Sequence, residues 1–356
     1  MKKFFATLLP LFLVLMMVTG CSQPQQTATT TAEPTQEATA EPTPEPVEVK
    51  ELNVAYMPNY AALWAVTTGI NKGFFEEEGL KINLVEFADG PTEIAAMESG
   101  SIDLSYIGPG AHRLCSTGDA QVFLIQQVGD ADCILGFKSK GVEKIEDLKG
   151  KKIAYAGGTS SESILDLALD SVGLTRNDVE LFDMDAANMA TAALSGSVDA
   201  VATWSPYSLN IMSELGDDVV KLCSNKDYTD KTVSPASWVV NPKYATENKD
   251  IIVRFIRAMY KAMDYGSKEA NFDEVAGYVA EQCKTEKEIA FDQRGDGAWF
   301  DKDTVVKLIN DGTILDYYQL QKQSFIDSGK FEGMSEDELV DVKDFVLTDL
   351  MLEAAK

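Results

Sequence analysis

The sequence predicts an α/β protein of two lobes, each built on a mostly parallel sheet flanked by helices. One observation behind this is a near-repeat. Ala95-Ala96-Met97-Glu98-Ser99-Gly100-Ser101-Ile102-Asp103 returns 96 residues later as Thr191-Ala192-Ala193-Leu194-Ser195-Gly196-Ser197-Val198-Asp199. The other is the order of apolar patterns around each copy, which reads β-α-β-α-β-α both times. Strands alternating with helical segments imply parallel sheets with crossover helices. Two such units in one chain leave a cleft between them, and in open α/β sheets a ligand sits beyond the carboxyl ends of the strands.

The first unit opens with a strand over 52–56 and a helix over 61–70, then a strand over 81–87 and a helix from Pro91. The second has a strand over 152–156, a helix over 161–171, a strand over 179–183 and a helix from about Ala186. Each repeat copy is the end of a helix stopped by glycine, Gly100 or Gly196, which takes a left-handed cap without a Cβ penalty. The short apolar runs 104–107 and 200–203 read as buried strands. Pro109 and Pro206 then suit the first position of a new helix. Further on, Ile251, Ile252, Phe255, Ile256, Met259 and Met263 form a stripe of helical period, read as core. Four loops at strand ends become candidates for the site: 57–60, 108–110, 157–161 and 204–207.

The N-terminal fifty residues carry a different message. Lys2 and Lys3 precede an apolar run over 4–18, too short for a membrane span of about 20 residues. Val18-Thr19-Gly20-Cys21 follows and resembles a bacterial lipobox, whose cleavage leaves an N-terminal cysteine carrying acyl chains. Residues 1–20 therefore read as a lipoprotein signal peptide and Cys21 as the lipidation site. Two or more acyl chains hold a protein stably on a membrane. Residues 21–50 are mostly Thr, Ala, Glu, Gln and Pro, with no aromatic residue. Such a segment buries too little apolar surface to fold and reads as a disordered tether.

Residues 51–356 carry 28 Lys and Arg against 52 Asp and Glu, a formal charge of −24. Nucleic-acid binding is excluded, since phosphate backbones need a basic face. The acidity reads as a solubility feature. Cys115, Cys133, Cys223 and Cys283 show no CxxC spacing, and His112 is the single histidine. Zinc-finger spacing and most histidine-based catalysis are thereby absent, and neither metal nor cofactor is expected. Disulfides are permitted outside the cytoplasm, with their pairing undetermined by spacing.

Several motifs fall in a recognisable order. Leu63-Trp64-Ala65-Val66 and Gly69 lead into Lys72-Gly73-Phe74-Phe75-Glu76-Glu77-Glu78-Gly79-Leu80. Gly100, Asp103 and Gly108 follow, then Asp147-Leu148-Lys149-Gly150-Lys151-Lys152-Ile153-Ala154 and Gly157-Gly158-Thr159-Ser160-Ser161. Gly196-Ser197-Val198-Asp199-Ala200 and Trp204-Ser205-Pro206-Tyr207 close the series. It resembles the substrate-binding proteins of ABC importers for nitrate, sulfonates and taurine, within the larger thiamine-pyrimidine-precursor binding (NMT1/THI5-like) superfamily. The resemblance covers roughly residues 51–280 and weakens after about Thr285.

The resemblance implies a type II periplasmic-binding-protein fold, with two lobes joined by two crossovers. These fall near 134–139 and 234–240, giving lobe 1 as 51–137 plus 238–356 and lobe 2 as 138–237. It also implies a non-catalytic solute-binding protein. Such a protein works as a monomer with the permease and ATPase subunits of an importer, on the extracytoplasmic side of the cell membrane.

Within this frame the candidate ligand-binding residues take roles. The 157–161 loop joins a strand to a helix N-terminus. Gly158 lets the backbone approach a ligand, and Thr159, Ser160 and Ser161 offer hydroxyls and amides suited to an anion. Ordinary N-capping is the competing reading. Trp204 either lines the pocket or joins the core, and Gly108 marks close backbone approach in the matching loop of the first unit. His112 and Arg113 read as a solvated helix face. Asn59 and Tyr60 follow the first strand, and Tyr60 with Trp64, four residues apart, makes either a flat wall or lobe packing. Thr92 is a hydroxyl donor at another cleft-facing helix start. Asp185 is either an acceptor for an amine or a helix cap. Asp130, Asp132 and Cys133 precede the first crossover, where the resemblance implies a loop lining the cleft or hinge.

Five arginines leave a dianion few partners, whereas a helix N-terminus suffices for a monoanion. The expected ligand is a small anion of sulfonate, taurine or nitrate type. Tyr56, Tyr60, Trp64, Tyr155 and Trp204 keep a pyrimidine-like heterocycle as the alternative. An enzyme, or a signalling or adhesion lipoprotein on the same fold, is the less favoured third.

Overall fold

The structure is a computed structural model and describes residues 49–356. The expected leader (1–20), Cys21 and the tether as far as residue 48 lie outside the described residues. The tether's expected end at residue 50 is overtaken by the first strand, which starts at Lys50.

The first sheet contains β1 (Lys50–Tyr56), β2 (Leu80–Glu86), β3 (Leu104–Ile107) and β4 (Gln121–Gly129). The second contains β5 (Asp132–Phe137), β6 (Lys152–Tyr155), β7 (Glu180–Asp183), β8 (Ala200–Trp204) and β9 (Val219–Ser224). The chain then returns to the first sheet with β10 (Pro235–Val240) and β11 (Gly297–Trp299). The orders are β11-β4-β10-β3-β1-β2 and β7-β6-β8-β5-β9. The principal helices are α1 (Tyr60–Asn71), α2 (Gly90–Glu98), α3 (Ser160–Ser171), α4 (Ala186–Leu194), α5 (Tyr207–Leu215), α6 (Lys249–Gly266), α7 (Phe272–Cys283) and α8 (Thr313–Asp327).

Parallel pairing holds where it was predicted. β1 runs parallel to β2 and β3, and β6 to β7 and β8. One interior strand in each sheet is reversed: β10 is antiparallel to β3 and β4, and β5 to β8 and β9. Each reversed strand is the one that arrives from the other lobe. It starts at the cleft, where its neighbours end, so it must run the opposite way. β11 adds an antiparallel edge to β4.

The crossovers lie nearer the cleft than expected. β4 ends at Gly129 in the first sheet and β5 starts at Asp132 in the second. Residues 132–137, expected to close lobe 1, therefore pair with lobe 2 strands. The return runs from Ser224 to Pro235, so 235–237 belong to the first sheet. The reason is local: 121–137 is strand-like throughout, interrupted only around Asp130-Ala131, and a change of sheet leaves no larger mark in such a run.

The repeat is local architecture. Gly100 (φ 76°) and Gly196 (φ 68°) follow the ends of α2 and α4. In both copies the next serine amide reaches back into the last helical turn, Ser101 to the Ala96 carbonyl and Ser197 to that of Ala192. Asp103 and Asp199 then fasten neighbouring strands. Their carboxylates accept the amides of Asn53 (2.8 Å) and Lys152 (2.9 Å). Pro109 takes the first position of a helix as expected, although of a short 3-10 one, Pro109–His112, whereas Pro206 occupies the N-cap of α5 after a cis peptide from Ser205.

The first core lies among the first sheet, α1, α6, α7 and the C-terminal helices. Ile252, Phe255, Ile256, Met259 and Met263 of α6 are fully buried, each contributing about 1.5–3 kcal/mol over exposure. The second sheet is buried on both faces, and successive residues alternate between them. Ile153 and Ile134 face α3, while Ala154 and Leu135 face α4 and α5. Cys115, Cys133, Cys223 and Cys283 are free thiols. Among the described residues no helix is long and apolar enough to cross a membrane.

Candidate ligand-binding cleft

The cleft ends of both sheets converge on one cavity of about 60 Å³. A single water needs about 10–15 Å³ by the same measure, so there is room for one small solute. A larger hollow of about 550 Å³ lies between α3 and α8, but it is a surface groove with many charged residues. Convergence of strand ends, not size, singles out the cleft.

All four expected loops reach this cavity, through Met57 and Asn59, Gly108 and Pro109, Thr159 and Ser160, and Trp204 and Ser205. Asn59 does so while capping α1, its Oδ1 accepting the Ala62 amide at 2.8 Å. Trp204 is buried and meets Tyr207 edge-on at 6.2 Å. Gly108 has ordinary backbone angles, and an added Cβ would meet nothing nearer than 4.0 Å. The close approach expected of it belongs to Gly110. A Cβ there would lie 2.1 Å from the Thr159 carbonyl carbon and 2.4 Å from the Ser160 nitrogen. The Thr159–Ser160 peptide of lobe 2 is thus seated directly on Gly110 of lobe 1.

Five expected residues are not brought to the lining. Tyr60 is buried in the first core, edge-on to Trp299 at 5.1 Å, and burial pushes its hydroxyl up to about 12. Thr92 is exposed, with its hydroxyl donating to the Asp89 carbonyl at 2.8 Å. Gly158, at φ 73°, backs onto Arg113 of lobe 1. Ser161 is fully buried, donating to the Ala202 carbonyl (2.6 Å) and accepting the Ala156 amide (3.0 Å). Asp185 is the N-cap of α4, accepting the Asn188 amide at 2.8 Å. His112 is buried against Tyr318 rather than solvated, and burial lowers its pKa to about 3.

The amides of the 157–161 loop are largely spoken for. Gly157 donates to Asp183 (2.8 Å), Gly158 to Glu162 (2.9 Å) and Ser161 to Thr159 Oγ1 (3.2 Å), leaving those of Thr159 and Ser160. The Thr159 hydroxyl donates to the Ala156 carbonyl, and that of Ser160 to Asp132.

Sequence reasoning missed, or left without a role, Gln127, Asp132, Gln293, Asp296 and Trp299, all of which line the cavity. Asp132 opens β5 at the crossover, and its amide donates to Asn225 at 2.9 Å. The three late contributors lie in one run, Gln293-Arg294-Gly295-Asp296-Gly297-Ala298-Trp299, with Gln293 and Asp296 just before β11 and Trp299 at its end, in a largely helical region. That glycine-polar-aromatic composition was the available signal. Gln293 accepts the Tyr60 amide at 3.0 Å and so ties this run to α1.

Among the described residues the lining contains no lysine, arginine or histidine. Burial pushes Asp132 up to about 6, with Asp130 and Asp296 acting the same way and Ser160 and Asn225 opposing. Asp296 is also raised to about 6, by burial first, with Ser205 and Lys221 pulling it back. Asp130 is instead neutralised across the two crossovers by Lys226, at 2.7 Å.

Two α/β lobes, joined by two crossovers and sharing a cavity at their strand ends, define a two-lobed binding protein of the type II periplasmic-binding-protein fold. The profile of the NMT1/THI5-like family matches residues 61–269, more than half the chain, and the protein belongs to that family. It is 28% identical over 298 residues to a protein of Brucella abortus strain 2308 provisionally named a binding protein, covering 84% of this chain and 90% of the relative. It is 29% identical over 247 residues to a Bacillus subtilis protein provisionally named an aliphatic sulfonates-binding protein, covering 68% and 72%. The periplasmic aliphatic sulphonate-binding protein of Escherichia coli has the same fold, with a TM-score of 0.63 at 19% identity over 85% of this chain and 99% of that one. A desulfurization enzyme shares it as well, with a TM-score of 0.60 at 14% identity over 86% and 98%.

Proposed function

We propose that the protein is the lipid-anchored, extracytoplasmic solute receptor of an ABC importer and performs no catalysis. The observation that carries this is the cavity fed by strand ends of both lobes, with Gly110 of one lobe seated on the Thr159–Ser160 peptide of the other. A solute held there touches both lobes at once and stabilises their closed arrangement. The lipobox at Cys21 supports the anchor. Among the described residues Asp132 and Asp296 are the carboxylates on the lining, and the Ser160 hydroxyl that donates to Asp132 has no histidine or lysine beside it there. Sulfonate-type anions are the first solutes to test because a relative carries that name. A flat heterocycle is the second, because Tyr106, Trp204 and Trp299 line the cavity.

The decisive assay reconstitutes the cognate permease and ATPase subunits in membranes. Solute-loaded protein is expected to raise ATP hydrolysis above the rate with the empty protein. Equal rates, or turnover of the solute by the receptor alone, overturn the reading.

A further inference from the structure

The acceptor groups of the cleft carry a conclusion about the solute that rests on the receptor reading and goes beyond it. Asp132, 4% exposed, lines the cavity from lobe 2. Asp296 lines it from the C-terminal part of lobe 1, and its Oδ2 is buried without a hydrogen-bond partner. Gln127, 3% exposed, lines it from β4, and its Oε1 is also buried without a partner. Asp132 already accepts the Ser160 hydroxyl, so the unpaired atoms are Asp296 Oδ2 and Gln127 Oε1, and both accept hydrogen bonds. Buried acceptors left unpaired cost about 1–3 kcal/mol each, so the missing partners are donors.

No basic side chain on the lining balances the two carboxylates. The one place suited to an anion, the N-terminus of α3, has Gly110 packed against the Ser160 nitrogen and the Ser160 hydroxyl committed to Asp132, which leaves the Thr159 amide as its one remaining donor. An anion entering this cleft would meet two carboxylates at close range, with Lys221 and Lys226 acting only from outside the lining, a repulsion that low-dielectric surroundings strengthen. A cation bearing N–H groups meets the opposite field, satisfies the unpaired acceptors of Asp296 and Gln127, and adds a donor to Asp132. Tyr106, Trp204 and Trp299 add aromatic surface, which attracts cations face-on.

We infer that the cleft selects a cationic, N–H-donating solute, an amine or amidinium, held by Asp132, Asp296 and Gln127. Calorimetry at pH 8 with benzamidine and guanidinium, set against methanesulfonate and nitrate, tests it. Benzamidine is expected to bind the full chain. Asp132→Asn and Asp296→Asn, both shape-preserving, are each expected to weaken it about 10-fold or more, the loss of one charge-assisted hydrogen bond. Circular dichroism verifies that both variants keep the native spectrum. Tighter binding of methanesulfonate than of benzamidine overturns the inference and leaves the receptor reading standing. Benzamidine affinity that neither variant changes also overturns it. If no probe binds, the inference falls, and the receptor reading is judged separately by the ATPase assay.

Discussion

Asp103 and Asp199 occupy matching positions in the two α/β units, and each ties its strand to a parallel neighbour through one backbone amide. The loops that follow them, five to seven residues on, share a proline and little else. The first unit presents Gly108-Pro109-Gly110, almost all backbone, and the second presents Trp204-Ser205-Pro206, which fills space. The bare loop is where the other lobe's Thr159–Ser160 peptide seats, and the bulky one walls the cavity. The repeated residues build the scaffold, and the divergent residues meet the other lobe and the cavity. The sequence repeat therefore located the cleft without describing its chemistry.

The largest way to break this division is at Gly110. Gly110→Ala puts a Cβ into the Thr159 backbone and is expected to hold the lobes apart, lowering solute affinity by about 100-fold, or about 2.7 kcal/mol. Scattering would show a larger radius of gyration with saturating solute than the parent shows. Gly100→Ala, at φ 76° in open space, is the matched control. It is expected to cost about 1–2 kcal/mol of stability and no affinity.

Asp132 comes next, because it is held at the expense of stability. Its folded pKa of about 6 lies above the ordinary 3.8, so the folded state binds that proton more tightly. That contribution is fully present below about pH 3.8 and is lost as pH rises through 6. Above this the ionised carboxylate, facing Asp130 and Asp296, costs on the order of 3 kcal/mol. Asp132→Asn is expected to raise the melting temperature at pH 8 and change it little at pH 4. An equal shift at both values would show that charge burial is not the cause.

A smaller effect is expected where the second unit is braced away from the cleft. Lys330, from the C-terminal part of lobe 1, lies 3.1 Å from Glu162 of α3, and Asp166 and Arg176 complete a half-buried cluster. Burial alone would raise Glu162, but Lys330, the Gly158 amide and Arg176 outweigh it and hold it below the usual carboxylate range. Lys330→Met is expected to cost about 1–3 kcal/mol in chemical denaturation, less than the rupture of an isolated buried pair because Arg176 remains.

The smallest effects sharpen the comparison itself. Asp103→Ala and Asp199→Ala are expected to lose about 0.5–1.5 kcal/mol each, equal within error, with solute affinity unchanged. A loss of affinity in only one of them would mean that one copy of the repeat also serves the site.

Much of the fold was legible because it is local. A Gly100 or Gly196 stop, an Asp185 cap and the apolar period of α6 depend on residues within a turn or two of each other. The four cleft loops followed from strand–helix order alone, and all four line the cavity. What the order of elements could not convey is which distant segment arrives beside each group. Tyr60 belongs to the core because Gln293 and Trp299 come back to meet it. The Gly157 amide is closed off by Asp183. Asp132, Gln127 and Asp296 line one cavity although they come from a crossover, an interior strand and a late turn. Capping and periodicity act over a few residues, so a linear pattern records them. Desolvation and hydrogen-bond satisfaction sum over every neighbour in space, so they are set when the chain closes on itself.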